Sequence, residues 1–324
     1  GGIRLGGTGG RVTDSWVSEN RDDGIHLDVS SPSDTVEVIG NQCWANGGDG
    51  IDVQSENEWI YGPASDNLVT DNVCKDNGKS GIRFHDGQGK ILRNVVSGNG
   101  DVASGSGGGI YCTGQRNTVE DNTISENAAY SGAGLYVGGS DTTVRENTIA
   151  QNTAQGSGGG VYAESGAVLE ANHIMANRAG SGGGVDARWG ASLLRNIIGE
   201  NVMAAETYLS GGAGCTWHGS GRIEGNAFFG NTVVVDDNYY YGDGTATSLY
   251  VSELSSGEAL QVHQNSFLDG GDHVVYNNSS SEWGRDVNAE NNWWGTTDAN
   301  AIQAMIYDCA DGDRTCVLVN PVMG

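Results

Sequence analysis

The chain has 324 residues, of which 54 are Gly and 3 are Pro, and 37% are hydrophobic. Its 41 acidic and 16 basic residues leave a net charge of −25, which opposes binding to nucleic acid and to anionic membrane surfaces. No apolar run of about 20 residues occurs, so no helical membrane span is expected; Gly at this level would loosen a compact globule but suits a solenoid with Gly at its corners.

In chain order, the sequence opens on Gly1-Gly2-Ile3, already inside a predicted strand. A mature product, or one segment of a longer rod with an open N-terminal end, is expected. From there two Asn rungs recur about every 25 residues, the length of one solenoid turn. The first runs through Asn41, Asn72, Asn94, Asn122, Asn147, Asn172, Asn196, Asn226, Asn265 and Asn292, and the second lies five residues later, from Asn46 to Asn231. Apolar residues sit three before and two after each first rung, as Val119 and Ile124 do around Asn122. A third signal is Gly followed by apolar-x-apolar, as in Gly50-Ile51-Asp52-Val53. Three short strands per turn follow, called A, B and C, each with one side chain inward. Strand A is predicted to start at Ile25, Ile51, Ile82, Ile110, Leu135, Val161, Val185, Cys215, Leu249 and Val274, after a first strand at Ile3. Asn tolerates left-handed backbone at a sharp corner, and its amide both donates and accepts. The ladder therefore places Asn at the corners.

Longer turns mark insertions beside strand A. They fall at residues 56–66, with Trp59 and Tyr61, at 202–210, with Tyr208, at 233–244, and at 279–285, with Trp283. Insertions in a solenoid cluster on the face that binds. The spacing then predicts a helix over 299–308, N-capped by Thr297 or Asp298, with Ile302, Met305 and Ile306 on one face. It is read as a lid over the last coil, with residues 317–319 adding a final strand. Cys309 and Cys316 flank an acidic hexapeptide and are expected to bridge. Cys43 and Cys74 occupy one inward column, either as a disulfide or as two core thiols. Cys112 and Cys215 are too far apart to pair and read as core residues.

The repeats resemble the right-handed parallel β-helix repeat family of secreted and cell-surface bacterial proteins. Asn292-Trp293-Trp294-Gly295-Thr296-Thr297-Asp298, with the helix after it and Pro321, resembles the closing module common in that family. Steps such as Gly158-Gly159-Gly160-Val161 and Phe228-Phe229-Gly230-Asn231 are similar to polymorphic outer-membrane adhesin repeats. The spacing gives an all-β, right-handed parallel β-helix of about eleven coils over residues 1–298, closed by a cap over 299–324, and the resemblance implies an extracellular or cell-surface location. It is specific for fold and open for function, because the architecture hosts lyases, hydrolases, epimerases, adhesins and passive stalks.

Function is sought on the outer face of strand A. Its first column is Arg4, His26, Asp52, Arg83, Tyr111, Tyr136, Tyr162, Asp186, Thr216 and Tyr250; its second includes Asp28, Gln54, His85, Glu164, Arg188 and His218. Tyr111, Tyr136 and Tyr162, with Trp59 and Tyr61, are candidates for stacking on sugar rings, or the stripe is a cross-strand ladder that stiffens the sheet. Asp52, Arg83 and His85, and then Glu164, Asp186, Arg188 and His218, are candidate acid–base groups of a polysaccharide lyase or glycoside hydrolase. The same residues equally make an ordinary charge-paired sheet face. Asp236, Asp237, Asp243, Asp308, Asp311 and Asp313 offer hard oxygen donors for calcium, though no cofactor is required. The leading expectation is a secreted or surface rod that adheres, spaces or assembles end to end, with glycan as candidate partner; the alternative is a glycan-cleaving enzyme in the strand A groove.

Overall fold

The computed structural model describes residues 1–7, 9–29, 35–55, 66–103, 105–164, 166–204, 210–234, 244–254, 260–271, 273–279, 286–309 and 316–319. Three long parallel sheets wind along the chain. Sheets A and B have twelve strands each and sheet C has ten, and every strand pairs with its counterpart one turn on. This is a parallel β-helix.

The inward columns fill the core. Val38, Val69, Ile91, Val119, Val144 and Leu169 of sheet B are fully buried, and so are Cys43, Cys74, Val96, Ile124, Ile149 and Ile174 of sheet C. Each such Val or Ile contributes about 2 kcal/mol. Towards the C-terminus the sheet C column turns aromatic: Phe228 stacks on Phe267 at 5.2 Å, and Phe267 on Trp294 at 4.8 Å. Cys43 and Cys74 are adjacent partners in sheet C and remain free thiols, as do Cys112 and Cys215. A disulfide joins Cys309 to Cys316.

The Asn rungs form two buried ladders. Asn147 Oδ1 accepts from both the backbone N–H and Nδ2 of Asn122, each at 2.9 Å, while Asn122 Nδ2 also donates to Ile91 O. The Asn is not the left-handed residue, contrary to the expectation. That role falls to the residue before it: Asp71, Arg93, Asp121, Glu146 and Ala171 on one ladder, and Asp76, Glu126, Gln151 and Ala176 on the other, have φ between 51° and 61°. Each non-Gly residue there costs roughly 1–2 kcal/mol, offset by the amide bonds of the next residue. The second ladder ends on Asp269, whose two oxygens accept from Asn231 N and Nδ2.

Four further differences from the sequence reading have local causes. Middle coils carry a fourth, five-stranded sheet of two-residue strands such as Thr153–Ala154 and Arg178–Ala179. Small Ala129, Ala133, Ala154 and Ala179 pack beneath it. In the eleventh strand of sheet A it is Val275, not Val274, that pairs with Leu249, so Tyr276 follows Tyr250 in the outer column. The helix stops early, at Ala299–Ala304, with Asp298 as N-cap and Ile302 buried. Ile306–Tyr307 instead pairs with sheet A as its twelfth strand, and Val317–Leu318 closes sheet B. Pairing satisfies an edge that a helix would leave open.

Candidate functional site on the outer face of sheet A

In-register pairing sets His26, Asp52, Arg83, Tyr111, Tyr136, Tyr162 and Asp186 in one outer column on successive turns. The three tyrosines stack with centroids 5.0 Å apart and rings within 12° of parallel. Arg83 lies over Tyr111 at 5.2 Å, and Arg188 lies over Tyr162 at 4.9 Å. The faces of Tyr136 are therefore covered by its neighbours, and the outer faces of the other two rings carry guanidinium groups. A ligand approaching this ladder meets ring edges and hydroxyls, not the open faces that sugar stacking needs. Burial and the nearby Glu164 raise the Tyr136 hydroxyl well above the usual tyrosine range, and burial takes Tyr162 up to about 12.

Each Arg is tied to a buried Asp. At the N-terminal end Asp52 is only 2% exposed. Its Oδ2 contacts His26 Nδ1 at 2.8 Å and accepts from Gln54 Nε2 at 2.7 Å; its Oδ1 lies 3.8 Å from Arg83 Nε and has no hydrogen-bond partner. His26 Nε2 meets Asp28 Oδ1 at 2.8 Å, and Asp28 in turn pairs with Arg4. Asp28 can accept from Nε2–H of His26, which leaves Nδ1, the nitrogen facing Asp52 and Asp23, with the lone pair of the neutral ring. Asp23 Oδ2 lies 3.5 Å from His26 Nδ1. Asp49 joins from the next corner: its N–H donates to Asp23 Oδ1, and burial, then Asp52 and Asp23, push its carboxyl up to about 6. Burial also raises Asp52, against the pull of His26.

At the C-terminal end Asp186 is 1% exposed, accepts from Arg188 Nε at 3.0 Å and lies 3.7 Å from His218 Nε2. Glu164 is not the ion partner of Arg188; it accepts from the Tyr136 hydroxyl at 3.4 Å. His85, two residues after Arg83 on the same strand, contacts Thr113 Oγ1. Asp308 Oδ2 accepts from Val317 N and so anchors the last strand of sheet B. Trp59, Tyr61, Asp236, Asp237, Asp243, Asp311 and Asp313 lie outside the described residues. Among the described residues, the group able to hold a metal ion is Asp23, His26 and Asp52, whose ligand atoms all lie within 4.8 Å of one another. Sequence reading missed Asp23 and Asp49. The available signal was an Asp directly before the strand A glycine on consecutive turns, Asp23-Gly24 and Asp49-Gly50.

The model of the family described as NosD, periplasmic copper-binding protein, matches residues 2–245. The chain belongs to the NosD family. The matched stretch carries both charged ends and the tyrosine ladder between them, and it stops before the last coils. A crystal structure of DFA-IIIase from Arthrobacter chlorophenolicus A6 without its lid is similar at 13% identity with a TM-score of 0.38, covering 98% of this chain and 70% of that one. No curated protein matches the sequence. Within the described residues, no helix is long and apolar enough to cross a membrane.

Proposed function

We propose that this chain is an extracytoplasmic β-helical scaffold that holds a copper(II) ion at Asp23, His26 and Asp52. The observation that carries the reading is the convergence of ligand atoms from Asp23, His26 and the 2%-exposed Asp52 to within 4.8 Å of one another, with one Asp52 oxygen lacking a hydrogen-bond partner. Buried acceptors are normally satisfied, so an unpaired one calls for a missing partner. Asp23, Asp28, Asp49 and Asp52 also outnumber Arg4 and Arg83 around it, which favours a cation.

The donor set selects the oxidation state. Imidazole and carboxylate suit copper(II), whereas copper(I) prefers thiolate or thioether. The free thiols here are closed to metal. Cys43, Cys74, Cys112 and Cys215 are buried in the core, and burial takes the Cys112 thiol up to about 12 and the Cys74 and Cys215 thiols well above their ordinary range. Bound copper would supply a Lewis-acidic, one-electron centre. The protein's part is to orient His26 through Asp28, to keep Asp52 dry, and to balance charge with Arg83. The family's printed location and the Cys309–Cys316 disulfide, a bond that persists in oxidising compartments, support placement outside the cytoplasm. Glycan cleavage in the same groove is less well supported: Asp186 Oδ2 and His218 Nε2 lack hydrogen-bond partners, but Arg188 holds the other Asp186 oxygen and Tyr136 holds Glu164.

Titration of metal-free protein with copper(II), read by calorimetry and electron paramagnetic resonance, tests the reading. The expected result is one site with hyperfine coupling from a single imidazole nitrogen, lost in His26→Ala together with at least about 100-fold in affinity. The same nitrogen signal at unchanged affinity in His26→Ala would overturn it.

A further inference from the structure

We infer that the outer face of sheet C docks a second copy of this chain, in an antiparallel two-fold dimer. The inference does not depend on the copper reading. Sheets A and B carry charged outer faces; on sheet B, Arg11 pairs with Glu37, Arg145 with Glu120 and Arg222 with Glu224. Sheet C differs. The outward positions of its ten strands, all among the described residues, hold no Asp or Glu, and Lys75 is their one Lys or Arg. In a chain of net charge −25, this is a face on which two copies can meet without bringing carboxylates together. The same face presents large apolar side chains on four consecutive turns. Trp16 is 73% exposed, and Trp44, Val73 and Val95 are exposed beside it.

A two-fold axis parallel to the strands, between the second and third of these turns, sets large side chains against small ones. The first turn then faces the partner's fourth, and the second faces its third. In-register pairing makes one outward column of Trp16, Gln42, Val73 and Val95, and another of Ser18, Trp44, Lys75 and Ser97. Each column faces itself in reverse. Trp16 lies over the partner's Val95, and Trp44 over the partner's Lys75, whose ammonium can rest on the indole. The corners agree. On the four turns the left-handed residue before sheet C is Asp14, Gly40, Asp71 and Arg93, and the one after it is Glu19, Ala45, Asp76 and Gly98. Asp14 therefore faces the partner's Arg93, Asp71 the partner's Gly40, Glu19 the partner's Gly98 and Asp76 the partner's Ala45. No carboxylate of these rows meets another. An axis along the rod would instead set Asp14 against the partner's Glu19 and Asp71 against the partner's Asp76, and like charges opposed across an interface exclude that register. The footprint, four turns by five residues, is about 20 Å by 15 Å. That is at the low end of specific interfaces, so the dimer is weak.

Sedimentation equilibrium in buffer containing EDTA tests the dimer without any metal contribution. In about 1 M NaCl we expect a monomer–dimer equilibrium with a Kd of about 100 µM. It should weaken at least about tenfold in about 50 mM NaCl, where the repulsion between two chains of charge −25 is less screened. Trp16→Lys and Val95→Glu each put a charge against an apolar side chain of the partner, and each variant alone should sediment as a monomer. Mixed in equal amounts, the two variants should associate again. The new ammonium of one chain then faces the new carboxylate of the other, while Trp16 of the second chain keeps Val95 of the first. Both positions point away from the core and lie three turns apart, about 14 Å, so they cannot compensate within one chain. Circular dichroism of each single variant should match the unmodified protein. The inference fails if the unmodified protein stays monomeric up to about 1 mM, if either folded single variant dimerises as the unmodified protein does, or if the mixture of the two folded variants stays monomeric.

Discussion

The two ends of the Tyr111–Tyr136–Tyr162 ladder are built from the same three residue types and differ in their charge balance. His26, Asp52 and Arg83 close one end; His218, Asp186 and Arg188 close the other. Both Asp are buried and both Arg lie over the terminal ring. The difference comes from outside the column. At the first end the corners contribute Asp23 and Asp49, and the second column contributes Asp28, so carboxylates are in surplus. At the second end Asp186 also keeps one oxygen without a hydrogen-bond partner, but Arg188 holds the other at 3.0 Å and the neighbouring Glu164 is taken by Tyr136. A charged constellation on a solenoid face is thus read from its corners as much as from its strands.

The largest expected effect separates these ends by metal binding. Asp52→Asn should weaken copper(II) binding by about 100-fold or more, and Asp186→Asn should leave it unchanged within about twofold. Calorimetry on the two variants decides it. Equal losses in both would mean that the ion sits on the ladder between them, and no loss in either would remove sheet A as the copper surface.

That contrast also shows how much was legible beforehand. The fold was, because two Asn columns at fixed offset leave one arrangement in which Asn122, Asn147 and Asn172 stack, and they do. The outer column of sheet A followed from the pleat. Asp23 and Asp49 were hidden because an Asp before Gly is also what any polar turn shows; only coil-to-coil register makes them neighbours of His26. The left-handed residue before each Asn was hidden for a related reason: its identity varies from Asp to Arg to Ala, so no residue type marks it. The one-residue shift that sets Val275 opposite Leu249 was hidden as well, because Val274 also fits the repeat pattern.

A middle-sized effect concerns stability. Arg188→Ala removes the 3.0 Å bond to a carboxylate that is 1% exposed, and also uncovers Tyr162. Breaking a buried pair costs about 3–5 kcal/mol, and the partial exposure of Arg188 reduces that to about 2 kcal/mol. Arg83→Ala should cost only about 1 kcal/mol, because Asp52 keeps His26 and Gln54. Denaturant melts of metal-free protein give both numbers. A larger loss in Arg83→Ala would reverse the assignment of which Asp depends on its Arg.

The smallest effect lies at high pH and tests what Asp186 does to the ladder. Tyr162 titrates at about 12 instead of 10 because burial disfavours its phenolate, with Asp186 and Glu164 adding repulsion and Arg188 opposing them. A folded-state pKa above the unfolded one means that the neutral hydroxyl is favoured by folding. The contribution is fully present below pH 10 and is lost as the pH rises from 10 to about 12. Tyr162→Phe keeps the ring stack and removes the hydroxyl, so its stability should fall less over that interval than that of the unmodified protein. Asp186→Asn should separate the causes. It deletes the repulsion while releasing Arg188 to attract the phenolate, and both changes move Tyr162 back towards 10. Asp52→Asn, at the other end, changes neither. NMR-detected titration of the Tyr162 ring resolves the shift. If Tyr162 titrates at the same pH in Asp186→Asn as in the unmodified protein, burial alone sets it, and the Asp186–Arg188 pair acts on the ladder through packing and not through charge.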